Sequence, residues 1–63
     1  VQGIVQPEFE ASKLELEGDI LVSRDAHDRA RVKYLKAQKI LTSKALNTAL
    51  IDLKLSALPE IDE

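Results

Sequence analysis

The sequence predicts an all-α fold, a helix-turn-helix hairpin plus a C-terminal capping helix, with helices over about 7–23, 25–41 and 44–57. Three observations predict it. Apolar residues recur at helical spacing in three successive segments. Short polar turns separate those segments. The apolar residues are mostly Leu, Ala, Val and Ile, with one Phe, one Tyr and no Trp, a composition that favours helix over strand.

Residues Val1 to Gln6 contain Gly3 and precede Pro7, so they read as a short, extended lead-in. Pro7 is tolerated in a first helical turn, and Glu8 and Glu10 suit the positive end of the helix dipole. From Phe9 to Val22 the pattern yields two apolar faces. Phe9, Leu16 and Ile20 form one; Ala11, Leu14, Gly18 and Leu21 form the other. A strand over Leu14 to Val22 competes, because residues alternate there at first, but the alternation fails at Leu21.

Ser23-Arg24-Asp25 interrupts the pattern, and Asp25 is the expected N-cap of the second helix. That helix carries a stripe of Ala26, Ala30, Tyr34, Ala37 and Leu41, with Val32 and Leu35 on its other side. A stripe rich in alanine implies close helix-to-helix approach. Thr42 and Ser43 are the expected caps of a third helix. It too is apolar on two sides: Leu46, Ala49, Leu50 and Leu53 on one, Ile51, Leu55 and Leu58 on the other. Pro59 ends it, and the acidic tail Glu60-Ile61-Asp62-Glu63 is expected to fray. Helices with two apolar faces suit a stacked repeat, in which one face packs inside the hairpin and the other against a neighbour.

At 63 residues and net charge -2 the chain makes one small domain, residues 1–63. It starts at Val1 without an initiator Met, so it is expected to be the C-terminal piece of a longer repeat protein. With no cysteine there is no disulfide or thiolate chemistry, and the compartment stays open. Apolar runs such as Ile20-Leu21-Val22 stop at three residues, far short of the roughly 20 that cross a bilayer.

The spacing resembles the tetratricopeptide repeat, a helix-turn-helix with small residues at fixed contact positions. Aligned on Gly18, the signature residues are Leu14, Gly18, Leu21, Ala30, Tyr34 and Ala37. Glu17 stands where that repeat usually has Leu, and Thr42 where it has Pro. The run from Gly18 to Ala37 and a final helix with Leu50, Leu53, Lys54, Leu55 and Leu58 resemble the C-terminal end of the YfgM-type tetratricopeptide proteins. That resemblance implies a non-catalytic, chaperone-like subunit associated with the SecYEG translocon and a periplasmic foldase. Its parent would be anchored in the bacterial inner membrane, with the repeats in the periplasm. The alternatives are a structural or oligomerisation element and a generic cytoplasmic peptide-binding repeat.

In such repeats the polar strip of the first helix faces a partner groove, and here that strip is Ser12, Glu15 and Asp19, with Val22 at its edge. Its acids would repel a C-terminal carboxylate, so a carboxylate clamp is not expected, and the ordinary reading is a solvated helix face. The stripe Phe9, Leu16, Ile20 is the expected apolar docking face, either for a preceding repeat or for self-association. Arg24, Arg29, Arg31, Lys33, Lys36, Lys39 and Lys44 crowd the second helix and its flanks. With acidic net charge and no stacking aromatics they read as a solvated face, some paired with acids such as Asp25 with Arg29, not as a nucleic-acid or membrane contact. His27 is the single imidazole and has no second His or Cys for a metal site. Ser23, Asp25 and His27 lie too close along one turn for a catalytic triad. No catalytic residue, metal or cofactor is expected.

Overall fold

The structure is a computed structural model that describes residues 7–59. Three helices follow in order: α1 (Pro7–Ser23), α2 (His27–Ser43) and α3 (Ala49–Ala57). The expected lead-in, Val1 to Gln6, and the tail from Glu60 lie outside the described residues. α1 carries Glu8 and Glu10 in its first turn, against the partial positive charge of the free backbone N–H groups. The alternation that suggested a strand from Leu14 is lost inside this helix.

α1 and α2 end in the same way. Asp25 has a positive φ of 61° and Ala45 one of 58°. At the first turn the Ala26 N–H reaches Leu21 O at 2.8 Å and the Asp25 N–H reaches Val22 O at 2.9 Å. At the second the Leu46 N–H reaches Leu41 O at 2.8 Å and the Ala45 N–H reaches Thr42 O at 3.0 Å. This paired 6→1 and 5→2 pattern is a Schellman motif, which satisfies the last carbonyls of a helix when one residue turns left-handed.

Those turns correct three expectations. Asp25 closes α1 instead of capping α2, whose start moves to His27 behind Ala26, without a side-chain cap. Thr42 and Ser43 are the last residues of α2, and Ser43 Oγ donates to Ile40 O at 2.9 Å. The third helix therefore starts at Ala49 instead of Lys44. Ala45-Leu46 reads as helical by propensity, but the chain must reverse there, and the tertiary reversal overrides propensity. At the true start of α3, Asn47 Oδ1 accepts the Ala49 N–H at 2.8 Å, and Thr48 Oγ1 donates to Asp52 Oδ2 at 3.0 Å.

The core lies between the hairpin helices and continues under α3. It consists of Ala11, Leu14, Ala30, Tyr34, Ala37, Ile51 and Leu58. Leu21, Val22, Ile40, Leu41 and Leu55 pack at its edge. Gly18 and Tyr34 set how closely α1 approaches α2. A methyl group on Gly18 would stand 2.7 Å from Tyr34 Cδ1, inside any real carbon contact. The ring fills the space that the missing side chain leaves. α3 is held to α2 by Gln38 Nε2 donating to Asp52 Oδ1 at 2.7 Å and by Arg31 Nη2 donating to Pro59 O at 2.8 Å.

Two stability outcomes follow from this geometry. Ala45→Gly removes the steric cost of a left-handed alanine and should stabilise the fold by about 1 kcal/mol. Gly18→Ala gains about 1 kcal/mol of helix propensity but overpacks Tyr34 at about 1–3 kcal/mol. Its net effect should be a loss of about 1 kcal/mol, both changes being read as urea midpoints followed by circular dichroism. A stabilised Gly18→Ala would show that the ring moves aside freely and that the glycine does not set the helix separation.

Candidate protein-interaction site

The polar strip of α1 faces α3. Glu15 and Asp19 are one helical turn apart, so their carboxylates share a side of α1, and Lys54 of α3 reaches both. Its Nζ lies 2.8 Å from Glu15 Oε2 and 2.9 Å from Asp19 Oδ2. Tyr34 completes the cluster, its hydroxyl donating to Asp19 Oδ1 at 2.5 Å. All three helices thus meet at one carboxylate. Ser12 stays exposed at the far end of the strip, and Val22 is half-buried. Val22 also lines a cavity of about 180 Å³ with Asp19, His27, Tyr34, Lys54, Leu58 and neighbouring residues.

Burial works to raise the Asp19 carboxyl, but the hydrogen bonds from Tyr34 and Lys54 and the Lys54 charge outweigh it, holding the group below its ordinary 3.8. Burial and the bond to Asp19 push the Tyr34 phenol up to about 12. For Lys54 burial opposes the charge, yet bonding to Glu15 and Asp19 raises the ammonium above its ordinary 10.5. A lysine held charged is neither a nucleophile nor a base, and a tyrosine held neutral, its proton committed to Asp19, is no phenolate base. The cluster therefore acts as a clasp between helices.

Helical spacing alone marks this strip as solvated or partner-facing, and its pairing with Lys54 lies outside that expectation. The available signal was that Lys54 is the one basic residue in the apolar and acidic segment after Lys44. Which acids it meets depends on how α3 turns back. Arg29 makes no ion pair with Asp25 among the described residues, because Asp25 belongs to the turn and precedes α2. Lys33 instead crosses to Glu17 of α1 at 3.0 Å.

The repeat-signature residues Leu14, Gly18, Ala30, Tyr34 and Ala37 are buried and Leu21 is partly so, all at the α1–α2 contact. The stripe Phe9, Leu16 and Ile20 lies on the opposite side of α1, with 65%, 60% and 47% of each residue exposed. At the other end of the helix stack, α3 turns Leu50 and Leu53 outward, 58% and 64% exposed. Both ends of the stack are therefore apolar. Among the described residues no helix is long and apolar enough to cross a membrane, and no group of three or more His, Cys, Asp or Glu side chains could hold a metal ion.

A helical hairpin with small residues at its contact and apolar surfaces at both ends is a repeat unit of a stacked α-helical protein. A family model described as a tetratricopeptide repeat-like domain matches residues 1–60. The chain belongs to that family, whose fold is a protein-interaction module and is typically non-catalytic. No curated protein and no solved structure matches it.

The clasp makes stability depend on pH at both ends. Asp19 contributes fully above its ordinary 3.8, and the contribution is lost as pH falls through its lower folded value. Lys54 and Tyr34 contribute fully below 10.5 and 10.0, and lose their contribution as pH rises through their raised folded values. Asp19→Asn should cost about 1 kcal/mol at neutral pH, a charged hydrogen bond discounted for solvent exposure. In thermal melts the gap between wild type and variant should close well below pH 3.8. A gap that persists in acid would assign the loss to packing and not to charge.

Proposed function

We propose that this chain is a non-catalytic docking module whose working surface is the outward apolar stripe of α1, Phe9, Leu16 and Ile20. One observation carries the reading: α1 buries one apolar stripe in its own hairpin and leaves a second exposed. Leu16 and Ile20 stand one helical turn apart, Phe9 lies two turns before Leu16, and all three are exposed on the outer side of α1; large apolar side chains grouped on one exposed face mark an interaction surface. The occupant is a preceding repeat of the same protein or a protein partner that imitates one. The segment from Gly18 to Ala37 and the final helix resemble the YfgM-type proteins, and on that resemblance the parent is a membrane-anchored, chaperone-like protein on the periplasmic side of the inner membrane. Its partners would be the SecYEG translocon and a periplasmic foldase.

A second reading is an oligomerisation element, favoured by Leu50 and Leu53 standing outward on α3. Copies could then join end to end, the α1 face of one on the α3 face of the next.

Sedimentation of the chain over a concentration series, with Leu16→Glu beside it, tests both. Self-association in wild type and a folded monomer in the variant, the expected result, identify the α1 stripe as a docking surface. Leu53→Glu separates the readings, since only end-to-end oligomers also lose association when α3 is changed. A wild type that stays monomeric at millimolar concentration would sink the docking face.

A further inference from the structure

On another flank of the hairpin lies a groove that the α1 docking stripe does not use. It has a volume of about 530 Å³ and is lined by Glu10 and Leu14 of α1 and by Lys36, Lys39, Ile40 and Ser43 of α2. No residue of α3 lines it. Leu14 and Ile40 provide its apolar floor. Lys36 and Lys39 are exposed on its α2 side, facing the single acid Glu10. Among the described residues no ion pair engages Lys36, Lys39 or the exposed Lys13 of α1. Glu17 records the local field: its carboxyl is held below the ordinary range first by the hydrogen bond from Lys33, with the charges of Lys33, Lys13 and Lys36 acting in the same direction. Cations from both helices thus converge on this flank of a chain whose net charge is -2. Outward-facing cations beside an apolar floor complement a ligand that is anionic and also carries an aliphatic group.

We propose that this groove binds an acidic peptide segment of a partner protein, with an aliphatic side chain seated on Leu14 and Ile40 and carboxylates at Lys36 and Lys39. Three classes of anion present themselves, and the groove's chemistry selects among them. An anionic membrane surface is taken up by a helix that offers a broad apolar face; α2 has spent its stripe of Ala30, Tyr34 and Ala37 on the core and leaves only the narrow pair Val32 and Leu35 exposed, 51% and 46%. A nucleic-acid strand gains affinity by stacking bases on aromatic rings, and the groove has none. An acidic peptide needs only charge at the rim and one apolar seat, and both are present. Glu10 sets a limit on the ligand, whose carboxylates must keep to the α2 side. This inference does not rest on the docking stripe, because the two surfaces share no residue.

The test titrates the 63-residue chain into a fluorescein-labelled peptide with several glutamates around a central leucine, read by anisotropy. A twin peptide with serine for that leucine and vesicles containing phosphatidylglycerol serve as competing probes. The expected result is saturable binding that weakens with added salt and falls at least tenfold in Lys36→Glu/Lys39→Glu. Both lysines are exposed, so that variant keeps its fold, as its thermal melt will show. Binding should also fall severalfold for the serine twin, and Leu16→Glu should bind the leucine peptide like wild type. Equal binding of the two peptides, indifference to the lysine changes, or tighter binding to the vesicles than to the peptide would each overturn the proposal. So would a loss of binding in Leu16→Glu, which would move the site to the α1 stripe.

Discussion

The contact between Gly18 and the ring of Tyr34 is the constraint on which the rest of the structure depends. Because α1 has no side chain at that point, the Tyr34 ring can lie against its backbone, and the two helices close around Ala30 and Ala37, both fully buried. The same placement brings the tyrosine hydroxyl to Asp19, one residue beyond the glycine. Asp19 thereby becomes an anchor that faces α3, and Lys54 is drawn to it. Close packing and the hydrogen bond both rest on one missing methyl group, and the ion pair with Lys54 adds to them at the same carboxylate.

That arrangement explains how a small chain with few aromatics keeps three helices together. The aliphatic core beneath α3 is thin, resting on Ile51 and Leu58 with Leu55 at its edge. Polar ties at three points make up for it: Lys54 to α1, Gln38 to Asp52, and Arg31 to the carbonyl of Pro59. Each is partly exposed and individually modest. Their value lies in fixing the angle of α3 against the hairpin, which apolar contact alone leaves loosely determined.

The surfaces left over divide by chemistry. The outer stripes of α1 and α3 carry exposed aliphatic and aromatic side chains, suited to another helix. The α1–α2 flank mixes free cations with an apolar floor, suited to a ligand with charge of its own. Between them the Glu15–Asp19–Lys54 clasp occupies the strip that a partner would otherwise meet, and it neutralises part of its negative charge.

Helical periodicity was legible because it needs only local order: the stripes of Ala11, Leu14 and Gly18 and of Ala30, Tyr34 and Ala37 can be read directly from their spacing. The repeat class came through resemblance to the tetratricopeptide signature, carried by Leu14, Gly18, Leu21, Ala30, Tyr34 and Ala37, and the family match over residues 1–60 agrees with it. The turns were not legible to the residue. Asp25 and Thr42-Ser43 have the chemistry of N-caps, yet Asp25 adopts the left-handed conformation that closes α1, and Thr42 and Ser43 finish α2. A cap and a stop can share one composition, and the choice depends on where the next helix must go. Composition and period suffice for three amphipathic helices, a close hairpin contact and the absence of thiol chemistry. Folding in three dimensions is needed for Lys54 to close on Glu15 and Asp19, for α3 to begin at Ala49, and for Lys36 and Lys39 to flank an apolar groove. The first and the last join residues far apart in the chain, and all three depend on chain reversals whose left-handed residues, Asp25 and Ala45, local propensity disfavours.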